Sequence, residues 1–145
     1  MRRVNIGRVI LGGIVAGIVV DVLGYLVDGM LLAPQWAAGM KALGRPEFAT
    51  SQIVLFNVLG LAQGLFAVWL YAAIRPRYGA GPKTAVCAGL ATWVAIILLP
   101  NLGFMSASGL FPANLTLWTS AGGIVELVIG TLVGAALYQE DAAVA

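Results

Sequence analysis

The sequence predicts an all-α fold: a polytopic membrane protein built as a four-transmembrane-helix bundle, with both termini on the cytoplasmic side. Three observations lead there. Of 145 residues, 61% are hydrophobic and 10% are charged, too few charges to coat a soluble core. Four apolar runs, residues 9–32, 53–74, 84–105 and 115–138, reach the roughly 20 residues needed to cross a hydrocarbon layer about 30 Å thick. Finally, the basic residues gather on alternate connections. Residues 1–145 read as a single transmembrane domain, with no room among them for a soluble catalytic unit.

In chain order, MRRVNIGRVILGG begins like a signal peptide, with a basic stretch ahead of an apolar one. The apolar run outlasts a signal h-region and no small-x-small cleavage site comes after it, so it reads as a retained first span. The Arg2-Arg3 pair lacks the flanking pattern of a twin-arginine signal. After the first span, Trp36, Met40 and Leu43 recur at helical spacing until Gly44-Arg45-Pro46 stops them. This predicts a short amphipathic helix over residues 34–44 lying on the membrane surface and anchoring the first hairpin. The stretch RPRYGAGPK between the second and third spans is rich in Gly and Pro and predicts a tight turn. Pro100 in the third span predicts a kink near the helix end. The last connection, SASGLFPAN, carries no charge.

Orientation is set by charge. Arg2, Arg3, Arg8, Arg75, Arg77 and Lys83 lie on one side, and only Lys41 and Arg45 on the other. The positive-inside rule puts the first group in the cytoplasm. The net charge of +2 is thus concentrated where it suits anionic headgroups rather than nucleic acid. Trp36, Phe111 and Trp118 fall near one boundary, and Trp69, Tyr71 and Tyr138 near the other, as interfacial aromatic belts do. Sliding the chain by 67 residues overlays Val58 on Val125, Leu65 on Leu132 and Tyr71 on Tyr138, matches near chance in so apolar a sequence.

Each span carries a stripe that is small and polar at once. On the first span, Gly13, Gly17, Asp21, Gly24 and Asp28 succeed one another at steps of three or four. Asn57, Gly60, Gly64 and Ala67 do so on the second, and Gly123, Glu126, Gly130 and Gly134 on the fourth. Ala85, Gly89 and Thr92 form a weaker version on the third. Lipid gives helices no hydrophobic reason to associate, so close approach at small residues and interhelical hydrogen bonds must hold them. Gly13, Gly17, Gly60, Gly64, Gly130 and Gly134 are therefore expected at helix–helix contacts. A carboxylate facing lipid costs at least about 2.5 kcal/mol, so Asp21 and Glu126 are expected to point inward, facing each other across the bundle.

At about 1.5 Å per residue, Asp21 and Glu126 reach a similar depth, with Asn57, Gln63 and Asn101 in the same half of the bundle and Asp28 and Tyr25 at its outer rim. No Lys or Arg lies in any span to neutralise them. Two acids without a basic partner hold a proton between them or share a cation. Asp21 and Glu126, with Asn57, Gln63 and Asn101 as neutral ligands, thus form a candidate cation or proton site. The competing reading makes the same acids hydrogen-bond glue between helices, with Asp28 solvated.

Several chemistries are excluded within this chain. It has no histidine and a single cysteine, Cys87, so no internal disulfide and no imidazole-held haem, chlorophyll or zinc can form. No nucleophile–base set and no phosphate-binding Gly loop occurs, so no enzyme activity and no cofactor are expected. The run LLAPQWAAGMKALG, with YAAIRPRYGAGPKTAV further on, resembles small four-helix integral membrane proteins of bacteria. The resemblance covers most of the chain and implies a multi-pass protein of the bacterial inner (cytoplasmic) membrane. Its motifs are connection and packing features and bring no catalytic residue. Two functions remain: transport or permeation through a carboxylate site, which four spans would support as a homo-oligomer, or an accessory subunit of a larger membrane complex. The partners are then the lipid bilayer and either further copies or other membrane subunits.

Overall fold

The computed structural model describes residues 4–140. Among them every regular element is helical, and four helices are long and apolar enough to cross a membrane: Ile6–Leu31, Thr50–Tyr78, Pro82–Ala107 and Ala113–Ala136. This is the arrangement of a multi-pass membrane protein. Arg2 and Arg3, which weigh in the charge count, lie outside the described residues.

The first crossing helix is α1, Ile6–Gly24, capped by the Asn5 side chain, which accepts from Arg8 N at 2.9 Å. It continues as a π-helical stretch, Tyr25–Leu31. Leu32 N bonding back to Val27 O at 2.8 Å marks the wider turn. A short α2, Ala33–Ala42, comes next, with Pro34 in its first turn. The long α3, Thr50–Tyr78, starts where Gln52 Oε1 accepts from Ala49 N at 2.8 Å, half of a capping box.

The predicted tight turn is shorter than RPRYGAGPK suggests, because α3 runs on through Pro76. The chain reverses only at Gly79 and Gly81, whose φ values of 87° and 130° suit residues without a Cβ. Thr84 Oγ1 then donates back to Gly79 O at 2.7 Å, pinning the start of α4, Pro82–Trp93. This helix widens into π turns at Val94–Leu98 and Asn101–Ala107, on either side of Pro100. A proline ring would collide with the carbonyl four residues back in a regular helix, and a wider turn just before it relieves that clash. Last, α5 is Ala113–Ala136.

Around the bundle α1 packs on α3 and α5, and α4 packs on α5 and α3, leaving α1 and α4 diagonal. The closest approaches are at glycine. A Cβ added to Gly12 would lie 2.5 Å from Gly134 O. Added to Gly17 it would lie 2.5 Å from Leu61 Cα, and to Gly64 the same distance from Gly17 Cα. Such contact is what joins helices when both sides of the interface are equally apolar. Several buried hydroxyls are satisfied within their own helices, as Thr92 Oγ1 is by donating to Ala88 O at 2.8 Å. The outward faces are large and apolar, among them Ile14, Ile18, Val22, Phe66 and Trp69.

The α2 helix is docked on the bundle, not free on its surface. Its Gly39 is buried, and Trp36 packs edge-on against Phe111 with ring centroids 5.3 Å apart. Leu32, Met105 and Leu115 form the small core beneath. Of the face expected from Trp36, Met40 and Leu43, the first two are half-buried, while Leu43, just past the end of α2, is exposed. At the opposite end, Tyr71 and Tyr138 are not belt residues turned to the interface. Both are buried inside the bundle, their rings perpendicular and 6.0 Å apart, while Trp69 faces outward.

Candidate functional site

The glycine stripe read from α1 divides between two neighbours. Gly13, Gly17 and Asp21 lie at steps of four and face α3, meeting Leu65, Leu61 with Gly64, and Gly60 respectively. Gly12, Ala16 and Val20 form the adjacent row and face α5, against Gly134 and Gly130. Gly24, one turn beyond Val20, belongs to this second row and faces Glu126. The helix thus sits in the notch between α3 and α5, and each small-residue row serves one of them.

This split separates the two acids expected to face each other. The Asp21 carboxyl lies on Gly60, in contact with the position a Cβ would take there. The Glu126 carboxyl lies between α1 and α5, its Oε2 3.5 Å from the Cβ position of Gly24 and its Oε1 3.5 Å from that of Gly122. Glu126 is 6% exposed, and its Oε1 is buried with no hydrogen-bond partner. One turn beyond Gly24, the π-helical stretch carries Asp28 toward α5, and its Oδ1 accepts from Trp36 Nε1 at 3.0 Å. Widening the ladder from four to five residues rotates the next turn of helix, and Asp28 comes to a different neighbour from Asp21.

The amide residues disperse. Asn101 Nδ2 donates to Ser120 Oγ at 3.1 Å and Thr119 Oγ1 at 3.4 Å, joining the third crossing helix to α5. Trp93 Nε1 donates to Ser120 O at 2.7 Å in the same layer. Asn57 is exposed and donates to Ile53 O of its own helix at 2.7 Å. Gln63 is half-buried on α3, and Tyr25 at the rim is 65% exposed. The structure therefore pairs Asp28 with Trp36 on the stretch that meets α5, leaves Glu126 unpaired between α1 and α5, and joins Asn101 to Ser120 and Thr119, with Asp21 at the α1–α3 contact.

Trp36 is the member that spacing alone does not reveal. An indole eight residues after an acid is a recognisable donor, but its reach depends on α2 folding back over the helix end. Among the described residues no group of three or more acidic, cysteine or histidine side chains converges as a metal site would. In comparisons with known proteins, no family model, curated protein or solved structure matches this chain.

Proposed function

We propose that this chain is a small multi-pass protein of the bacterial inner membrane, with cytoplasmic termini. It takes up a proton or a monovalent cation at Glu126 and Asp28 for transport or permeation, acts as an oligomer, and catalyses no reaction. One observation carries the reading: Glu126 Oε1 is buried without a hydrogen-bond partner on α5, the helix that the stretch carrying Asp28 also meets. A buried polar oxygen left unpaired costs about 1–3 kcal/mol, and intramembrane acids of this kind mark ion and proton paths. A pair of carboxylates lacks the ligand number that a divalent ion prefers, which favours the proton or a monovalent cation. Trp36 holds Asp28 by a hydrogen bond, whereas Glu126 Oε1 has none. Asp21, on the α1–α3 contact, is a second carboxylate at a neighbouring interface.

Reconstituted vesicles test this directly. Proton, sodium and potassium gradients should each be imposed on the parent protein and on Glu126→Gln, which keeps the shape of the side chain. Flux in the parent that falls at least about tenfold in Glu126→Gln supports the site. Equal flux in both, or none in the parent under any gradient, removes it.

A second reading rests on a different observation. From Ser51 to Leu59 every residue of α3 is exposed, including Ile53, Phe56 and Leu59, and the ring contact of Phe56 with Phe48, centroids 5.4 Å apart, leaves most of this apolar face uncovered. Such a surface suits another membrane subunit. With Cys87 replaced, a cysteine at Val54 should cross-link in native membranes. An adduct of two copies favours the oligomer, and an adduct of any other mass favours an accessory subunit.

A further inference from the structure

At the end of the bundle that carries both described chain ends, Arg75 is held in an unusual way. Its guanidinium carbon lies 5.4 Å from the centre of the Tyr138 ring and 6.0 Å from that of Tyr71. The two rings are themselves locked, for Tyr138 Oη accepts from Asn5 N and Tyr71 Oη from Gly81 N, each at 3.3 Å. Arg75 Nε faces Glu140 Oε1 at 3.7 Å, too long for a hydrogen bond. Its Nη1 is buried and has no partner. Beside it opens a cavity of about 330 Å³ lined by Arg75, Pro76, Ala80 and Glu140.

We infer that Arg75 anchors a binding site for a phosphate oxyanion, supplied by the headgroup of an acidic phospholipid or by a free phosphate. A guanidinium left with an unpaired, buried N–H edge is a donor awaiting an acceptor. Its planar fork matches two oxygens of one phosphate. The aromatic clamp fixes the fork in place, so little side-chain freedom is lost on binding. The site lies near the end of a membrane-crossing helix, the level of lipid headgroups. Arg77 and Lys83, both exposed on the adjoining turn, add attraction for an anion. Glu140 is the negative wall: it competes for the guanidinium and sets the affinity.

The purified full chain in neutral detergent decides the matter through its thermal midpoint, because a ligand bound to the folded state alone raises it. Phosphatidylglycerol, phosphatidylcholine and inorganic phosphate are titrated separately at constant ionic strength. The parent should gain several degrees from phosphatidylglycerol over phosphatidylcholine. That gain should vanish in Arg75→Gln and survive in Arg77→Gln. In Glu140→Gln the half-saturating concentration should fall several-fold. A gain reproduced by inorganic phosphate makes the occupant a soluble anion, and no effect of phosphate makes it a lipid. The inference is overturned by equal response to both lipids without response to phosphate, by full selectivity in Arg75→Gln, or by loss in Arg77→Gln equal to that in Arg75→Gln. If Arg75→Gln does not fold, an unchanged half-saturating concentration in Glu140→Gln overturns it equally.

Discussion

At Gly60 the placement of a carboxylate can be tested by a single methyl group. A Cβ there would run into the Asp21 carboxyl, the far end of a flexible side chain. That end can swing aside, so Gly60→Ala should cost only about 0.5–1.5 kcal/mol of stability, the off-rotamer shift forced on Asp21. In an Asp21→Ala background the same substitution should cost little, since its obstacle is gone. Unfolding of the four variants in detergent completes a double-mutant cycle, and equal losses in both backgrounds would show that Asp21 does not lie on Gly60. Gly64 behaves differently. Its neighbours are the Gly17 backbone atoms, which cannot rotate aside, so Gly64→Leu should abolish the folded monomer whatever stands at position 21.

At the level of elements, the attachment of α2 depends on one glycine. A Cβ on Gly39 would sit 2.9 Å from Phe111 Cδ1, so Gly39→Leu should push α2 off the Phe111 and Leu115 surface. The crossing helices, which meet elsewhere, should keep their packing. Hydrogen exchange reads the difference: amides of α2 should lose protection while those around Gly17, Gly64 and Gly134 keep it. Release of α2 also takes Trp36 Nε1 from Asp28 and exposes the acid pair from that side. Unchanged protection throughout α2 would mean the helix is held by something other than this contact.

The whole molecule places both described chain ends and the Gly79–Gly81 turn together, with α2 and the connection before α5 at the other end. With Cys87 replaced by Ser, cysteines at Ala38 and Ser108 should react with an impermeant thiol reagent added outside intact cells, and one at Ala80 should not. All three positions are exposed, so a failure to react reports sidedness rather than burial. Labelling at Ala80 alone would invert the molecule in the membrane and move the Arg75 cavity to the outer leaflet.

The four long apolar helices were legible in the sequence because the signal is local: a run of apolar residues long enough for a bilayer needs no knowledge of its neighbours. The small residues of close contact were legible for the same reason, since lipid leaves few other ways to join helices. What spacing could not supply was the identity of the partner. Asp21 and Gly24 share a stripe on paper, but α1 lies in a notch between α3 and α5, and the two residues face different walls of it. Beyond Gly24 the π-helical stretch shifts the register again, which delivers Asp28 to Trp36. Arg75 counts in the sequence as one of six basic residues expected on one side of the membrane; only folding sets it between Tyr71 and Tyr138. Helical periodicity determines which residues share a face, whereas what that face meets depends on how three other helices pack around it.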